Sequence, residues 1–336
     1  MTFCAAPFVH IVQNPNGEYR TCCMYEKPFK GKYKDIKEAF DSEENSKIRN
    51  RMLSGEKLPE CHKCDIDEKH RGKAIPSYRH YFDKYAHYKE KPVFKTLEIS
   101  VSNRCNFKCV TCNERFSNQF GPTIDNEIPD EEYFKDIEEL KILGGEPFLD
   151  KRNIELLKKV PKNIKLMIVT NCSIFPNEET LNLLSQFKHF NLNISIDGIN
   201  DVAEFVRYGT KWSKFERNFF KWKEYWKKRK ESSYFTPHIV VHSYNAPFIQ
   251  ETIDWLDIPL IDMSWDFLNQ PEWLNISYLP DKIKEYIIDR NESLKPPLEK
   301  YIWSNDHNEH YFNILKRDIF QKDFPKSMDD YVNMLI

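Results

Sequence analysis

Leu97-Glu98-Ile99-Ser100-Val101-Ser102-Asn103-Arg104-Cys105-Asn106-Phe107-Lys108-Cys109-Val110-Thr111-Cys112 begins as a strand and ends as a thiol-rich loop. Side chains alternate across a pleat, so Leu97, Ile99 and Val101 share one face and Glu98, Ser100 and Ser102 the other. The cysteines that follow have C-x3-C-x2-C spacing. Soft thiolates in one tight loop select iron–sulfur clusters, zinc or copper(I). A structural zinc site closes its own tetrahedron, and three sulfurs do not. A cubane cluster held by three cysteines instead leaves one iron open to a further ligand.

Downstream of this loop the same alternation returns. Phe190, Leu192, Ile194 and Ile196 oppose Asn191, Asn193 and Ser195; Ile239 and Val241 oppose His238, Val240 and His242. Parallel strands covered on both faces read as continuous apolar runs, and these do not. Helices must cover the apolar face, so the polar face lines a wet interior. Strands are expected near 95–102, 140–144, 164–170, 190–196, 236–243 and 262–268, with helices near 152–159, 177–188, 213–230 and 247–256. Short apolar runs alternating with helix-length patterns spell βα units around a parallel sheet. A closed eight-stranded barrel fills its interior with branched apolar side chains; a six-stranded partial barrel holding a polar ligand fits these faces better. The expected fold class is α/β: a partial (β/α)6 TIM-like barrel over 93–270, with a small N-terminal Cys-rich metal domain over 1–92 and a C-terminal helical cover over 271–336.

The N-terminal region carries the other thiol cluster. Cys4 lies in Phe3-Cys4-Ala5-Ala6-Pro7-Phe8, Gly17 precedes Cys22 by five positions, Cys23 follows, and Cys61 and Cys64 form a C-x2-C pair. Four thiolates close a tetrahedral zinc site or hold a second cluster with no open iron; Cys23 is an alternative to Cys22. Nine cysteines cannot all pair within one chain, and eight lie in the first 112 residues. Clustered thiols of this kind point to metal rather than to a disulfide framework.

Composition narrows the function classes. Across 336 residues, 50 Lys and Arg balance 52 Asp and Glu, for a net charge of −2. That argues against a polybasic binder, so neither nucleic acid nor membrane is expected as a partner. No apolar run approaches the ~18 residues of a membrane helix. The opening Met1–Val12 lacks a basic n-region, so the chain is expected to be cytoplasmic. In 214–231 basic residues interleave with aromatics, but Phe215, Phe219, Trp222 and Trp226 recur at helical spacing; an amphipathic helix packed on the barrel accounts for them. His238 and His242 read as hydrogen-bonded inward histidines, and Cys172 as a buried strand-end thiol.

The three-cysteine loop resembles the signature of the radical SAM superfamily. Further motifs follow in that family's order, each at a strand end: Gly144-Gly145-Glu146-Pro147, Thr170-Asn171, Ser195-Ile196-Asp197-Gly198, and Arg207 within Val206-Arg207-Tyr208-Gly209. The resemblance covers residues 94–270. It implies a catalytic [4Fe-4S] cluster on Cys105, Cys109 and Cys112, with S-adenosyl-L-methionine bound by Gly144, Gly145, Glu146, Ser195, Asp197 and Arg207. The implied reaction is reductive cleavage of that cofactor to a 5′-deoxyadenosyl radical that abstracts hydrogen from a substrate. Two positions depart from the family pattern: Thr111 stands where an aromatic residue is common, and Cys172 where glycine often follows Thr-Asn.

The N-terminal cysteines resemble the auxiliary-cluster modules called SPASM and twitch domains. A twitch-like site would use Cys4, Cys22, Cys61 and Cys64 for a second Fe-S cluster, with zinc as the alternative metal. In most relatives this module follows the barrel, and here it precedes it. The resemblance implies an enzyme acting on a peptide or protein, fed by an electron donor such as flavodoxin or ferredoxin. Oxidation, epimerisation or carbon insertion on a small metabolite, sugar or nucleotide is the alternative, and a non-catalytic Fe-S or zinc binding protein is the third reading.

Overall fold

A computed structural model describes residues 3–71, 77–229, 233–319 and 321–336. Ten strands occur among them: β1 His10–Gln13, β2 Tyr19–Arg20, β3 Thr96–Ile99, β4 Lys108–Cys109, β5 Glu139–Ile142, β6 Lys165–Thr170, β7 His189–Ser195, β8 Arg207–Tyr208, β9 Phe235–Val241 and β10 Ser264–Phe267. Eight form one sheet in the order β10-β9-β7-β6-β5-β3-β1-β2; β4 and β8 form a separate ribbon. The six strands from β3 to β10 in the main sheet are parallel to their neighbours, as the alternating pattern requires. The helices Arg152–Lys159, Glu178–Ser185, Trp212–Lys227 and Ile249–Leu256 fall where helical patterns were expected.

Each strand sends its apolar residues outward into a helix-covered core. Leu97, Ile99, Leu140, Ile142, Leu166, Ile168, Leu192 and Ile194 are all buried there. Trp212–Lys227 buries Phe215, Phe219 and Trp222 on this layer, so its aromatic stripe is core and its lysines are the solvated face. The opposite strand faces carry polar groups inside the barrel. Glu98 on β3 and Lys141 on β5 are register partners and form an ion pair at 3.0 Å.

The N-terminal segment contributes to this sheet. β1 pairs parallel with β3, matching His10 to Thr96 and Gln13 to Ile99, and β2 folds back antiparallel on β1. The sheet therefore runs across residue 92. His10 anchors the seam: its Nδ1 shares a 2.8 Å hydrogen bond with Thr96 Oγ1, and its ring meets Phe82 at 5.1 Å. Burial pushes the His10 pKa down to about 4. At the other end of the chain, helices Asp281–Asp289, Lys295–Ile302, Glu309–Ile319 and Asp329–Leu335 pack over the β9–β10 side. The Tyr331 hydroxyl donates to Ser243 O at 2.7 Å, and Phe267 stacks on Tyr301 with centroids 4.1 Å apart.

Candidate functional site

The loop after β3 is braced by amide side chains that bond to its own backbone. Asn103 Nδ2 donates to Glu114 O and Pro122 O, Cys105 N donates to Asn118 Oδ1 at 3.0 Å, and Gln119 Nε2 donates to Cys105 O at 3.0 Å. These contacts brace residues 103–122 as one unit. Within it Cys109 lies on β4, directly opposite Arg207 of β8. The arginine is thus delivered to the middle cysteine by a two-residue antiparallel ribbon, a pairing with no sequence signal beyond the two motifs themselves.

Arg207 is partly buried, its side chain 14% exposed, and its Nη1 donates to Asp197 Oδ2 at 2.7 Å. Its Nε is buried with no partner among the described residues. Burial works against the guanidinium charge, yet Cys109 and Asp197 together hold its pKa above the ordinary arginine value. Asp197 Oδ1 accepts from Val240 N at 2.8 Å, so this carboxylate ties β7, β9 and the arginine together. Ser195 ends β7 and is the register partner of His238. Burial pushes the Cys105 thiol up to about 11 and Cys112 up to about 12, and raises Cys109; the Arg207 charge opposes all three shifts. Cys105 Sγ also accepts from Phe107 N at 3.4 Å and from Asn171 Nδ2 at 3.8 Å.

The Gly144-Gly145-Glu146 turn follows β5 and packs under that loop. Gly144 has φ +83° and Gly145 φ +57°. A Cβ on Gly145 would sit 2.1 Å from Arg104 O, and one on Gly144 2.3 Å from Ser100 Oγ. Only glycine lets the two backbones approach this closely. Gly145 N donates to Phe116 O and Glu146 N to Arg104 O, completing the contact. The Glu146 carboxylate is fully buried and accepts from Thr170 Oγ1 and Asn171 N, each at 2.7 Å, and from Phe148 N at 3.2 Å. Burial raises its pKa while these donors pull the other way. Glu146 is therefore a strut joining the ends of β5 and β6. Cys172, next in line, sits in the left-handed region at φ 61°, which is why glycine suits that position.

His242 is fully buried, accepts from Tyr244 N on Nδ1, and burial pushes its pKa down to about 4. His238 shares a 3.0 Å hydrogen bond with Ser264 Oγ. Both are inward histidines with structural partners.

The N-terminal thiols gather beside the barrel. Cys4 feels the charges of Cys61 and Cys64, and Cys22 those of Cys4 and Cys64. Burial pushes Cys4 and Cys61 up to about 12 and Cys64 up to about 11. Cys4 and Cys22 repeat the local geometry of Cys105: each sulfur accepts from the amide two residues on, Ala6 N at 3.5 Å and Met24 N at 3.4 Å. Among the described residues no three His, Cys, Asp or Glu groups converge tightly enough to hold a single metal ion. Between this module and the barrel opens a cleft of about 1270 Å³. Arg20, Cys23, Lys63, Arg115, Asp266 and Tyr301 are among the residues that line it, and Lys63 Nζ stands 4.0 Å from Asp266 Oδ1. It occupies the unclosed gap between the edge strands β2 and β10.

Residues 99–256 match the profile of the Radical SAM superfamily. Among curated proteins, a GTP 3′,8-cyclase of Campylobacter lari is 27% identical over 124 residues, 34% of this chain and 38% of that protein. A GTP 3′,8-cyclase of Campylobacter jejuni subsp. jejuni serotype O:2 is 35% identical over 86 residues, 22% of this chain and 27% of that protein. A Methanocaldococcus jannaschii protein without an assigned role is 25% identical over 240 residues, 63% of this chain and 79% of that protein. The alignment to the first of these spans about two fifths of its length. Of solved structures, anSMEcpe with bound AdoMet has a TM-score of 0.45 at 19% identity, covering 69% of this chain and 68% of that one. Streptococcus suis SuiB bound to precursor peptide SuiA has a TM-score of 0.43 at 15% identity, covering 85% of this chain and 67% of that one. The matched residues 99–256, just under half of the chain, take in the three-cysteine loop and each of the later motifs up to Arg207.

Proposed function

We propose that the chain is a radical SAM enzyme whose Cys105, Cys109 and Cys112 hold a [4Fe-4S] cluster and whose substrate is a peptide or protein. The observation that carries this reading is the pairing of Arg207 with Cys109 above the Gly144–Gly145 cradle. The residues present fit the groups. Three thiols face one cation, a cradle excludes side chains, and the buried Arg207 Nε awaits an acceptor. When bound, the cluster and S-adenosylmethionine supply a 5′-deoxyadenosyl radical by reductive cleavage of a carbon–sulfur bond. The protein's own residues bind and orient. Gly144 and Gly145 offer backbone to the cofactor's amino group, Arg207 a cation to its carboxylate, and Ser195 a hydroxyl at the next strand end. Asp197 and Glu146 act through others: Asp197 positions Arg207, and Glu146 positions the cradle.

The size of the cleft supports a peptide over a small metabolite. Pockets for small ligands run to ~300–1,000 Å³ and are mostly apolar; this one is larger and lined by mixed charges and amides. The reading in which a small nucleotide is the substrate draws on the partial matches to GTP 3′,8-cyclases. For the N-terminal site we propose an auxiliary cluster on Cys4, Cys22, Cys61 and Cys64; the amide-to-sulfur contacts of Cys4 and Cys22, like that of Cys105, suit these sulfurs to serve as thiolate ligands. The test is anaerobic reconstitution with iron and sulfide, metal counting, and EPR of the reduced protein. About eight irons, and a signal that changes when S-adenosylmethionine is added and is lost in Cys109→Ala, are expected. About four irons with one zinc would make the N-terminal site structural. A signal indifferent to the cofactor would overturn the catalytic assignment.

A further inference from the structure

Helix Trp212–Lys227 turns its aromatic stripe to the barrel and a row of cations to solvent. Lys214, Arg217 and Lys221 recur at three- and four-residue spacing, so they share one helix face, and Lys211 stands at the N-cap. All four are exposed. Residues 211–221 hold one carboxylate, Glu216, against these four cations. None of the four forms an ion pair among the described residues, whereas Lys227 on the same helix pairs with Glu224 at 2.6 Å. Hydrogen bonds join this face to the three-cysteine loop. Asn218 Nδ2 donates to Cys172 O at 2.9 Å, and the next residue, Ser173, accepts on Oγ from Asn106 Nδ2 at 3.0 Å. Asn106 and Lys108 are interleaved with Cys105 and Cys109, and both are exposed. Lys108 Nζ stands 5.3 Å from the ring of Phe120, which is 37% exposed. Across the β4–β8 ribbon its register partner is Tyr208, 68% exposed and three residues before Lys211. Five cations and two exposed rings thus border the cysteine loop in a chain whose net charge is −2. None of these seven residues lines the cleft.

We propose that this surface docks a small acidic electron-transfer protein, which delivers there the electron used at the cysteine loop. This rests on the radical reading above, in which cleavage of the carbon–sulfur bond is reductive. Each cleavage takes one electron: the carrier is oxidised by one, the site on Cys105, Cys109 and Cys112 is reduced by one, and no proton need move. Electron transfer falls off steeply with distance, so the carrier must present its redox centre to the surface nearest the three cysteines. Lys108 and Tyr208 stand at that surface, each next in sequence to a member of the Cys109–Arg207 pair. An acidic protein face complements lysines that have no carboxylate of their own, and such complementarity speeds encounter by roughly 10–10³-fold. Phe120 and Tyr208 supply the aromatic contact that protein interfaces favour.

The test uses the full chain, loaded anaerobically with iron and sulfide. The probes are flavodoxin hydroquinone and a reduced ferredoxin. Lys211→Glu with Lys214→Glu reverses two charges of the surface. Lys282→Glu with Lys300→Glu, two exposed lysines of the C-terminal helices, makes the same charge change elsewhere. Bleaching of the visible absorption is followed by stopped flow. At low salt a carrier should reduce wild type and the Lys282/Lys300 protein at equal rates, and the Lys211/Lys214 protein about tenfold more slowly. The difference should vanish at about 1 M salt, where the screening length falls to ~3 Å. Dithionite needs no docking surface and should reduce all three alike, at equal iron content. Binding of oxidised flavodoxin, read by sedimentation velocity, should weaken in the Lys211/Lys214 protein alone. Equal carrier rates in all three proteins, or a loss with the carrier matched by an equal loss with dithionite, would overturn the proposal. So would wild type that dithionite reduces and neither carrier does. Binding of a short single-stranded RNA, or self-association, through the same lysines without binding of either carrier would overturn it too. If dithionite bleached none of the proteins, the radical reading would fail, and the binding of oxidised flavodoxin would still decide whether these lysines recruit an acidic carrier.

Discussion

Arg207 meets two demands with one guanidinium. It neutralises the buried Asp197 carboxylate at 2.7 Å, and it faces Cys109 across the β4–β8 ribbon. Removing it strands a charge that is 3% exposed. Breaking a buried pair by deleting one partner costs ~3–5 kcal/mol, so Arg207→Ala should lose about that much in urea unfolding and bind S-adenosylmethionine far more weakly in equilibrium dialysis. Unchanged cofactor binding would remove Arg207 from the site. Gly145 makes a different prediction, because its constraint is steric. A methyl there meets Arg104 O at 2.1 Å, so Gly145→Ala should cost about 1–3 kcal/mol and lower the iron held by Cys105, Cys109 and Cys112. Iron equal to wild type would show that the cradle yields. At this scale the cysteines and glycines were legible because their spacing is local. The bracing of Cys105 by Asn118 and Gln119, and of Glu146 by Thr170 and Asn171, was not. Asparagine and glutamine carry no signature until the loop's path is known.

The strands and helices of the barrel were readable from alternation and helical period, because one face of each strand had to be apolar and the other polar. The strand β1 was not. Its four residues His10–Gln13 are all buried, so they show no alternation, and the cysteines on either side suggested a separate metal-binding unit. What places β1 in the sheet is long-range pairing with β3 across 86 positions, which no local pattern encodes. Two measurements follow. First, a fragment 93–336 lacks β1 and β2 and exposes the β3 edge, an aggregation-prone template; it should be insoluble or molten, and a cooperatively folding fragment would show that the barrel does not need the added strands. Second, burial disfavours the His10 cation and pushes its pKa down from the ordinary 6.5 to about 4. A base with a depressed folded pKa stabilises the fold above pH 6.5, and that contribution is lost as pH falls toward 4. At pH 5.0 the loss amounts to about 2 kcal/mol from this residue. Urea unfolding at pH 7.5 and 5.0 should show it, and His10→Phe should show less of it; an equal acid loss in both proteins would place the effect elsewhere. Glu98 and Lys141 also face His10, so the comparison between the two proteins is the informative quantity.

For the molecule as a whole, the open barrel edge is the organising feature. A parallel sheet of this kind leaves a gap between its first and last strands. Here the N-terminal module and the C-terminal helices stand on either side of that gap and turn it into the large cleft. Helix Lys295–Ile302 packs against helix His62–Arg71, so the two ends of the chain meet over it. The cleft reaches from Asn113–Arg115, just past Cys112, to Cys23 of the N-terminal segment. On the proposed function, radical chemistry at the three-cysteine loop and substrate binding along the cleft would be parts of one arrangement. The most direct measurement is anaerobic: reconstituted protein, S-adenosylmethionine and dithionite, with 5′-deoxyadenosine quantified beside a Cys109→Ala control. Formation by the wild type and its disappearance in the variant is the result expected; no 5′-deoxyadenosine from protein carrying a full complement of iron would contradict the assignment of radical chemistry to this loop.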